Sequence, residues 1–282
     1  MRNILLLPNL NKDVDLSLTG EVAKALLDNG FQVYISSKYP LPFPVQYYEE
    51  KLPEQSELLI VIGGDGTVID AVPLALNMNI PVLGVNLGKV GYLAEVEPSE
   101  LELLKLLWDD DYTVEEKILL NCEVVLGDTC IAEVPNILND VLVSRRTENP
   151  IASLRVRYNG KKALDYRADG IILATPQGAT AYSLSCGGPM LSHELSAIAL
   201  TPIAPHSFFN RSMVFSDSAV FEVENKDNIP LLLIADGKTI CELPQNSFVR
   251  VSKSQNKLKM ICLKKEGQIQ SIFRKLRRIE NM

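Results

Sequence analysis

Histidine is nearly missing from this chain: its 282 residues include two, His193 and His206. Cysteine is scarce and unpaired. Cys122, Cys130, Cys186, Cys241 and Cys262 make an odd count, and no CxxC spacing occurs. A structural zinc site is not expected from so few ligands, and reduced thiols of a cytosolic protein are the plain reading. Positive charge is also short. Lys and Arg number 28 against 35 Asp and Glu, a net charge of −7, which argues against a nucleic-acid partner. It also poses a problem: phosphates bound by an acidic chain need local cations, either Lys and Arg or a metal. No apolar run approaches the roughly 20 residues of a membrane span. Met1-Arg2-Asn3 leads into ILLL and then Pro8, too short for a signal h-region. No membrane segment is expected, and the cytoplasm is the expected compartment.

What is present is a foldable chain with 46% hydrophobic residues and length for two domains. The first third alternates strand and helix signals. Ile4 to Leu7, Phe31 to Ser36, Leu58 to Ile62 and Ile80 to Val85 read as strands. Glu21 to Asp28 and Thr67 to Asn77 read as helices, the second despite Pro73. Ser99 is a candidate cap for a helix through Trp108, with Leu101, Leu104, Leu107 and Trp108 as its core face. Lys38 to Pro53 holds four prolines and reads as a loop. Strand, helix and strand in succession predict a parallel sheet covered by helices.

After about residue 115 the texture changes. Leu126-Gly127-Asp128, Tyr158-Asn159-Gly160 and Ala235-Asp236-Gly237 are hairpin signals between short apolar-rich runs. The expected architecture is therefore an N-terminal parallel-sheet α/β domain, 1–115, followed by a mainly β, sandwich-like domain, 116–260. The tail, 261–282, is expected to pack back on the first domain and ends in the basic FRKLRRIENM.

Three stretches carry candidate chemistry. GGDGTVID, 63–70, follows the apolar run LLIVI. Glycines at a strand end that opens a helix suit phosphate binding: the backbone can approach closely or take positive φ, and the helix start offers free N–H groups. The P-loop lysine is missing, and GxGxxG starting at Gly64 would place Ile69 where glycine belongs. Asp65 either acts on substrate, as a base or a metal contact, or caps the helix. The second stretch, ATPQGATAYSLSCGGPM at 174–190, offers hydroxyls and bare backbone, as either a nucleotide-binding loop or an unliganded one. The third, NILNDVLVSRR at 136–146, places Asn139-Asp140 before an apolar strand. Asn matches an adenine edge and a carboxylate accepts from ribose hydroxyls; a plain turn is the alternative.

GGDGT together with PVLGVNLGKVGYLAEV (81–96), LNDVLV (138–143), DGIILATPQGATAYSLSCGGPML (169–191) and LTPIAPHSFFNRSMVFSDS (200–218) resembles the NAD kinase family. That resemblance implies transfer of the γ-phosphoryl of ATP, or of polyphosphate, to the 2′-hydroxyl of the adenosine ribose of NAD, giving NADP. It implies Asp65 as the catalytic carboxylate and Gly63, Gly64, Gly66 and Thr67 as the phosphate turn. It places Asn139 and Asp140 on the NAD adenosine, and Asp169, Thr180, Ala181, Tyr182 and Ser185 on the dinucleotide. Arg167 falls near the phosphates and Tyr92 lines the NAD pocket. No metal ligand is assigned to the protein, and Mg²⁺ or another divalent cation is expected to arrive with ATP. A homo-oligomer, dimer or tetramer, is implied.

The sequence departs from the family pattern at three positions. Asp140 stands where Glu is common, and Gln177 and Ala179 replace a Thr and a Ser. His206 reads as a buried residue that shapes a loop, Arg211 as an ion-pair partner or a phosphate clamp, and Cys186 as a small apolar filler. Rival readings are a diacylglycerol-type lipid kinase, which shares GGDGT, and a non-enzymatic dinucleotide sensor.

Overall fold

The computed structural model describes residues 2–87, 91–206, 209–227 and 229–264. The chain forms two compact units. One comprises residues up to Glu116 together with those from Leu258 on; the other is Lys117–Lys257. The basic end of the expected tail lies outside the described residues.

In the first unit, β1 (Asn3–Pro8), β2 (Gln32–Ser36), β3 (Gln46–Tyr48), β4 (Leu58–Gly63) and β5 (Val82–Asn86) form one parallel sheet in the order β3-β2-β1-β4-β5. Helices α1 (Ser17–Asp28) and α2 (Asp65–Met78) cross over between β1 and β2 and between β4 and β5. Every residue of β4 and β5 is buried, as a sheet covered on both faces requires. Helix α2 turns Val68, Ala71, Val72 and Ala75 inward, the spacing of one helical face. The proline-rich stretch is not all loop, because β3 extends the sheet edge beside β2. Strand order reverses between β1 and β4. At such a switch point the loops leaving the two strands diverge and open a crevice at their carboxyl ends.

Ser99 does not cap a helix. Pro98–Leu104 is a 3₁₀ turn whose cap is Glu97, paired with Glu100 in a capping box, and α3 (Lys105–Trp108) follows as a separate short turn. Pro98 at the first position suits this start. Leu104 and Leu107 are buried, and Leu101 and Trp108 pack against the same core.

The second unit is a β-sandwich, as expected. Its strands are β6 (Thr113–Leu126), β7 (Thr129–Ile137), β8 (Asp140–Arg145), β9 (Ala152–Tyr158), β10 (Lys161–Ala168), β11 (Gly170–Ala174), β12 (Ala197–Ile203), β13 (Met213–Ser216), β14 (Phe221–Asn225), β15 (Leu231–Ala235), β16 (Lys238–Leu243) and β17 (Ser247–Cys262). β6 enters this unit at Lys117, and from Leu258 β17 belongs to the first unit, where Met260 pairs with Val82. One sandwich layer runs β10-β9-β14-β17; the other runs β13-β12-β11-β8-β15-β16. Their inner faces meet in one core containing Leu154, Val156, Phe221, Val223, Val249 and Val251 from the first layer. Val141, Val143, Ile171, Leu173, Leu200 and Leu233 answer from the second. Behind the second layer Leu142, Ile172, Ala174 and Ala199 pack with Ala179 and Leu191. The 174–191 stretch is thereby held against the sheet; it contains a 3₁₀ turn, Gly178–Thr180, and the short helix α4 (Tyr182–Ser185).

Candidate active site

Between the end of β4 and the start of α2 only Gly64 intervenes, with extended φ −100° and ψ −173°. None of Gly63, Gly64 and Gly66 takes positive φ, so the option of positive φ is not used. What the turn requires is a missing side chain. A Cβ on Gly63 would collide with the Thr67 hydroxyl and stand 2.6 Å from Thr67 Cβ. Space around Gly66 is open, and the first N–H groups of a helix lack intrahelical partners. The turn thus offers free backbone N–H groups at a helix start, a geometry that suits an anion.

Asp65 does not cap its own helix; no side chain does. Its carboxylate instead reaches the 91–93 segment, where Oδ2 accepts the Tyr92 N–H at 2.8 Å and Oδ1 accepts the Leu93 N–H at 2.9 Å. Gly91 makes room, since a Cβ there would sit 2.5 Å from Asp65 Oδ1. Two backbone donors fix the plane of the carboxylate. Each oxygen keeps acceptor capacity for another proton. Tyr92 is present at this site first through its backbone; burial, then the Asp65 charge, raise its phenol pKa.

In the second unit, Asn139 and Asp140 enter β8 between two neighbouring segments. On one side the Thr175 N–H donates to Asn139 O at 2.9 Å, and Thr175 Oγ1 donates to Leu138 O at 2.6 Å. On the other, the Asp236 carboxylate accepts the N–H groups of Leu138, Asn139 and Asp140 at 2.9, 2.7 and 3.2 Å. Asp140 is 5% exposed. Burial, and then the Asp236 charge, push its pKa up to about 7. Gly178 donates its N–H to Thr175 Oγ1 and packs on Asn139. A Cβ on Gly178 would overlap the Asn139 carbonyl and lie 2.7 Å from Asn139 Cα. Gly178→Ala should therefore displace the 138–140 backbone and cost about 1–3 kcal/mol in chemical denaturation. An unchanged midpoint would show that the loop moves freely.

The other expected site residues have different surroundings. Asp169 pairs with Arg145, Nε to Oδ1 at 2.7 Å, and Arg145 Nη1 also donates to the carbonyls of Arg146, Thr147 and Asn149. Thr180 is buried and its hydroxyl donates to Gln177 O, so that hydroxyl holds the loop. Ala181 is half-buried and links the 3₁₀ turn to α4; Tyr182 and Ser185 are exposed. Burial raises the Tyr182 phenol pKa, with Cys186, Asp169 and Asp140 adding to it, so all three lie close enough to act on that phenol. Arg167 is an exposed residue of β10 whose carbonyl accepts the His206 N–H at 2.7 Å. His206 is exposed rather than buried, because the segment after β12 leaves the sheet there. Ala179, which replaces a Ser, is fully buried in an apolar cluster, where a hydroxyl would need a partner.

Sequence reasoning missed three site residues: Gly91, Arg145 and Asp236. Asp236 was visible only as a hairpin signal. It has φ 46°, a conformation Asp tolerates, and this turns its carboxylate toward β8.

Known families match both parts of this chain. Residues 4–112 match the ATP-NAD kinase N-terminal domain and residues 138–263 match the ATP-NAD kinase C-terminal domain. An NAD kinase of Caldanaerobacter subterraneus is 34% identical over 94% of this chain and 95% of its own. One from Thermococcus sibiricus is 34% identical over 89% and 90%. Among solved structures, an Archaeoglobus fulgidus NAD kinase in complex with ATP has 25% identity and a TM-score of 0.69, covering 99% of both chains. Yeast NADH kinase complexed with NADH shares the fold, with a TM-score of 0.82 at 23% identity over 96% of this chain and 86% of that one. The fold and these matches define a kinase. The chain belongs to the NAD kinase family.

Proposed function

We propose that this chain transfers the γ-phosphoryl of ATP to the 2′-hydroxyl of the adenosine ribose of NAD, giving NADP. The carrying observation is Asp65: two backbone donors fix its carboxylate beside the glycine turn, and it plays no part in capping. A carboxylate placed next to a phosphate site is repelled unless the reaction uses it. Here it orients the acceptor hydroxyl and takes its proton late in a loose transition state.

In this reading Gly63, Gly64, Gly66 and Thr67 bind the donor phosphates. Asn139 holds the adenine edge, and Asp140 accepts from ribose hydroxyls. Asp236 acts through the backbone as a positioning residue, since its oxygens are occupied by three N–H groups. Asp169, Thr180, Ala181, Tyr182 and Ser185 complete the dinucleotide contacts, Thr180 by loop geometry. Tyr92 lines the pocket and Arg167 lies near the phosphates. A divalent cation, Mg²⁺ in the first instance, enters as the counter-ion of the donor. The enzyme is read as a cytoplasmic homo-oligomer, dimer or tetramer, on the family's usual pattern. Among the described residues no helix is long and apolar enough to cross a membrane.

Incubation of the purified chain with ATP, Mg²⁺ and NAD, followed by an NADP-specific dehydrogenase assay, tests the reading. NADP formation supports it; bound NAD without product would favour the sensor. Replacing ATP with polyphosphate in the same assay identifies the donor.

A further inference from the structure

The acidic composition leaves one question open: which protein cation meets the donor phosphates at the glycine turn? The residues of the turn itself, Gly63, Gly64, Gly66 and Thr67, carry no positive charge. The segment between β1 and α1 does. Lys12 Nζ lies 2.7 Å from the point that a Cβ on Gly64 would occupy, so its ammonium rests against the one residue that separates β4 from α2.

That placement is built rather than incidental. Asn9 ties the segment to the turn from two directions: its N–H donates to Ile62 O at 2.9 Å, and its Nδ2 donates to Thr67 Oγ1 at 2.6 Å. Asn9 O then accepts the N–H groups of Lys12 and Asp13 at 3.0 and 2.8 Å, closing a tight turn around Lys12. From the other end, Asp13, 2% exposed, accepts the N–H groups of Leu18 and Thr19 and the Thr19 hydroxyl. Both flanks of Lys12 are therefore anchored, one to the glycine turn and one to the start of α1. The segment leaves β1 beside the end of β4, at the point where strand order reverses, which is where open α/β sheets receive ligands. The nearest catalytic carboxylate, Asp65, is engaged by the Tyr92 and Leu93 N–H groups.

We propose that Lys12 binds the phosphates of the donor at the glycine turn, supplying a cation to a turn whose own residues carry none. The proposal rests on the kinase reading and adds a residue to it. Lys12 contacts phosphate oxygens as a point charge, a role lysine fills through three rotatable donors. It discriminates neither base nor sugar, so inorganic tripolyphosphate should feel it as strongly as ATP does.

Calorimetric titration of the full chain with Mg²⁺ and either ATP or tripolyphosphate tests this without relying on turnover. Charge-assisted contacts of this kind correspond to about a 10–100-fold change in affinity. Lys12→Met should weaken both ligands by that factor, and Lys12→Arg should recover most of the loss. NAD binding by Lys12→Met should stay within about twofold of wild type, which a general folding defect would not allow. The difference between wild type and Lys12→Met should shrink as salt rises, because exposed charges are screened. Equal phosphate affinity in wild type and Lys12→Met, or no phosphate binding by wild type, would overturn the assignment. NADP formation by wild type is scored separately and decides the kinase reading alone.

Discussion

Asp65→Asn should lower turnover by about 10²–10⁴-fold, the usual worth of a positioned general base, which corresponds to a barrier rise of about 3–5 kcal/mol. Asparagine preserves the size of the side chain but not its chemistry. One of its two terminal atoms can still accept a backbone N–H, either from Tyr92 or from Leu93. The other is an NH₂ group turned toward a donor, so one of the bonds at 2.8 and 2.9 Å is lost. The substitution should therefore also cost about 1–3 kcal/mol of local stability. NAD and ATP affinities should change little, since the glycine turn and the 138–140 segment do not depend on the Asp65 charge. Steady-state kinetics read the effect as a fall in kcat with KM for NAD nearly constant. Turnover like that of wild type would remove Asp65 from the reaction.

The second large effect is a pH dependence centred on Asp140. Its pKa rises from 3.8 to about 7, through burial first and the neighbouring Asp236 charge second. The sign follows from linkage. The folded chain holds this proton more tightly than the unfolded chain, so the contribution to stability is complete below about pH 4. It is lost as pH rises toward about 7, with a ceiling of about 4 kcal/mol. The pKa of Asp236 is raised as well, by burial foremost, with its three backbone donors opposing, and it acts in the same direction. Asp140→Asn removes the ionisation. Its melting temperature should exceed that of wild type at pH 8 and approach it at pH 5. NAD affinity should move the opposite way, because an ionised Asp140 accepts hydroxyl bonds more strongly and at more sites than the acid: wild type should bind more tightly at pH 8 than at pH 6, and Asp140→Asn should bind weakly at both. A melting-temperature difference that does not change with pH would contradict the assignment.

Much of this was legible in the residues. Apolar runs separated by helical spacing marked β1, β2, β4 and β5, because a sheet covered on both faces leaves little room for polar residues. The α/β part and the β-rich part differ in turn chemistry, and that change marked the passage from one to the other. GGDGT disclosed a strand-to-helix turn because only glycine admits Thr67 so close to Gly63. What stayed hidden depends on contacts far apart in sequence. Asp236 grips residues 96 to 98 positions away, and no local pattern separates it from an ordinary hairpin Asp. Lys12 reaches Gly64 only because β1 and β4 are neighbours. Nothing in the local sequence singles out Arg145, although its guanidinium organises four acceptors, Asp169 among them. Ser99 was passed over as a cap because Glu97 with Glu100 makes a reciprocal pair and Pro98 fixes the first turn. Strand β3 was masked by prolines, which an edge strand tolerates.

Phosphorus NMR of the product is the most direct test of the central chemistry. Wild-type chain supplied with ATP, Mg²⁺ and NAD should yield a new phosphomonoester coupled to the 2′ proton of the adenosine ribose. Phosphate appearing only as inorganic phosphate, or as an ester at any other position, would contradict the placing of Asp65 beside that hydroxyl.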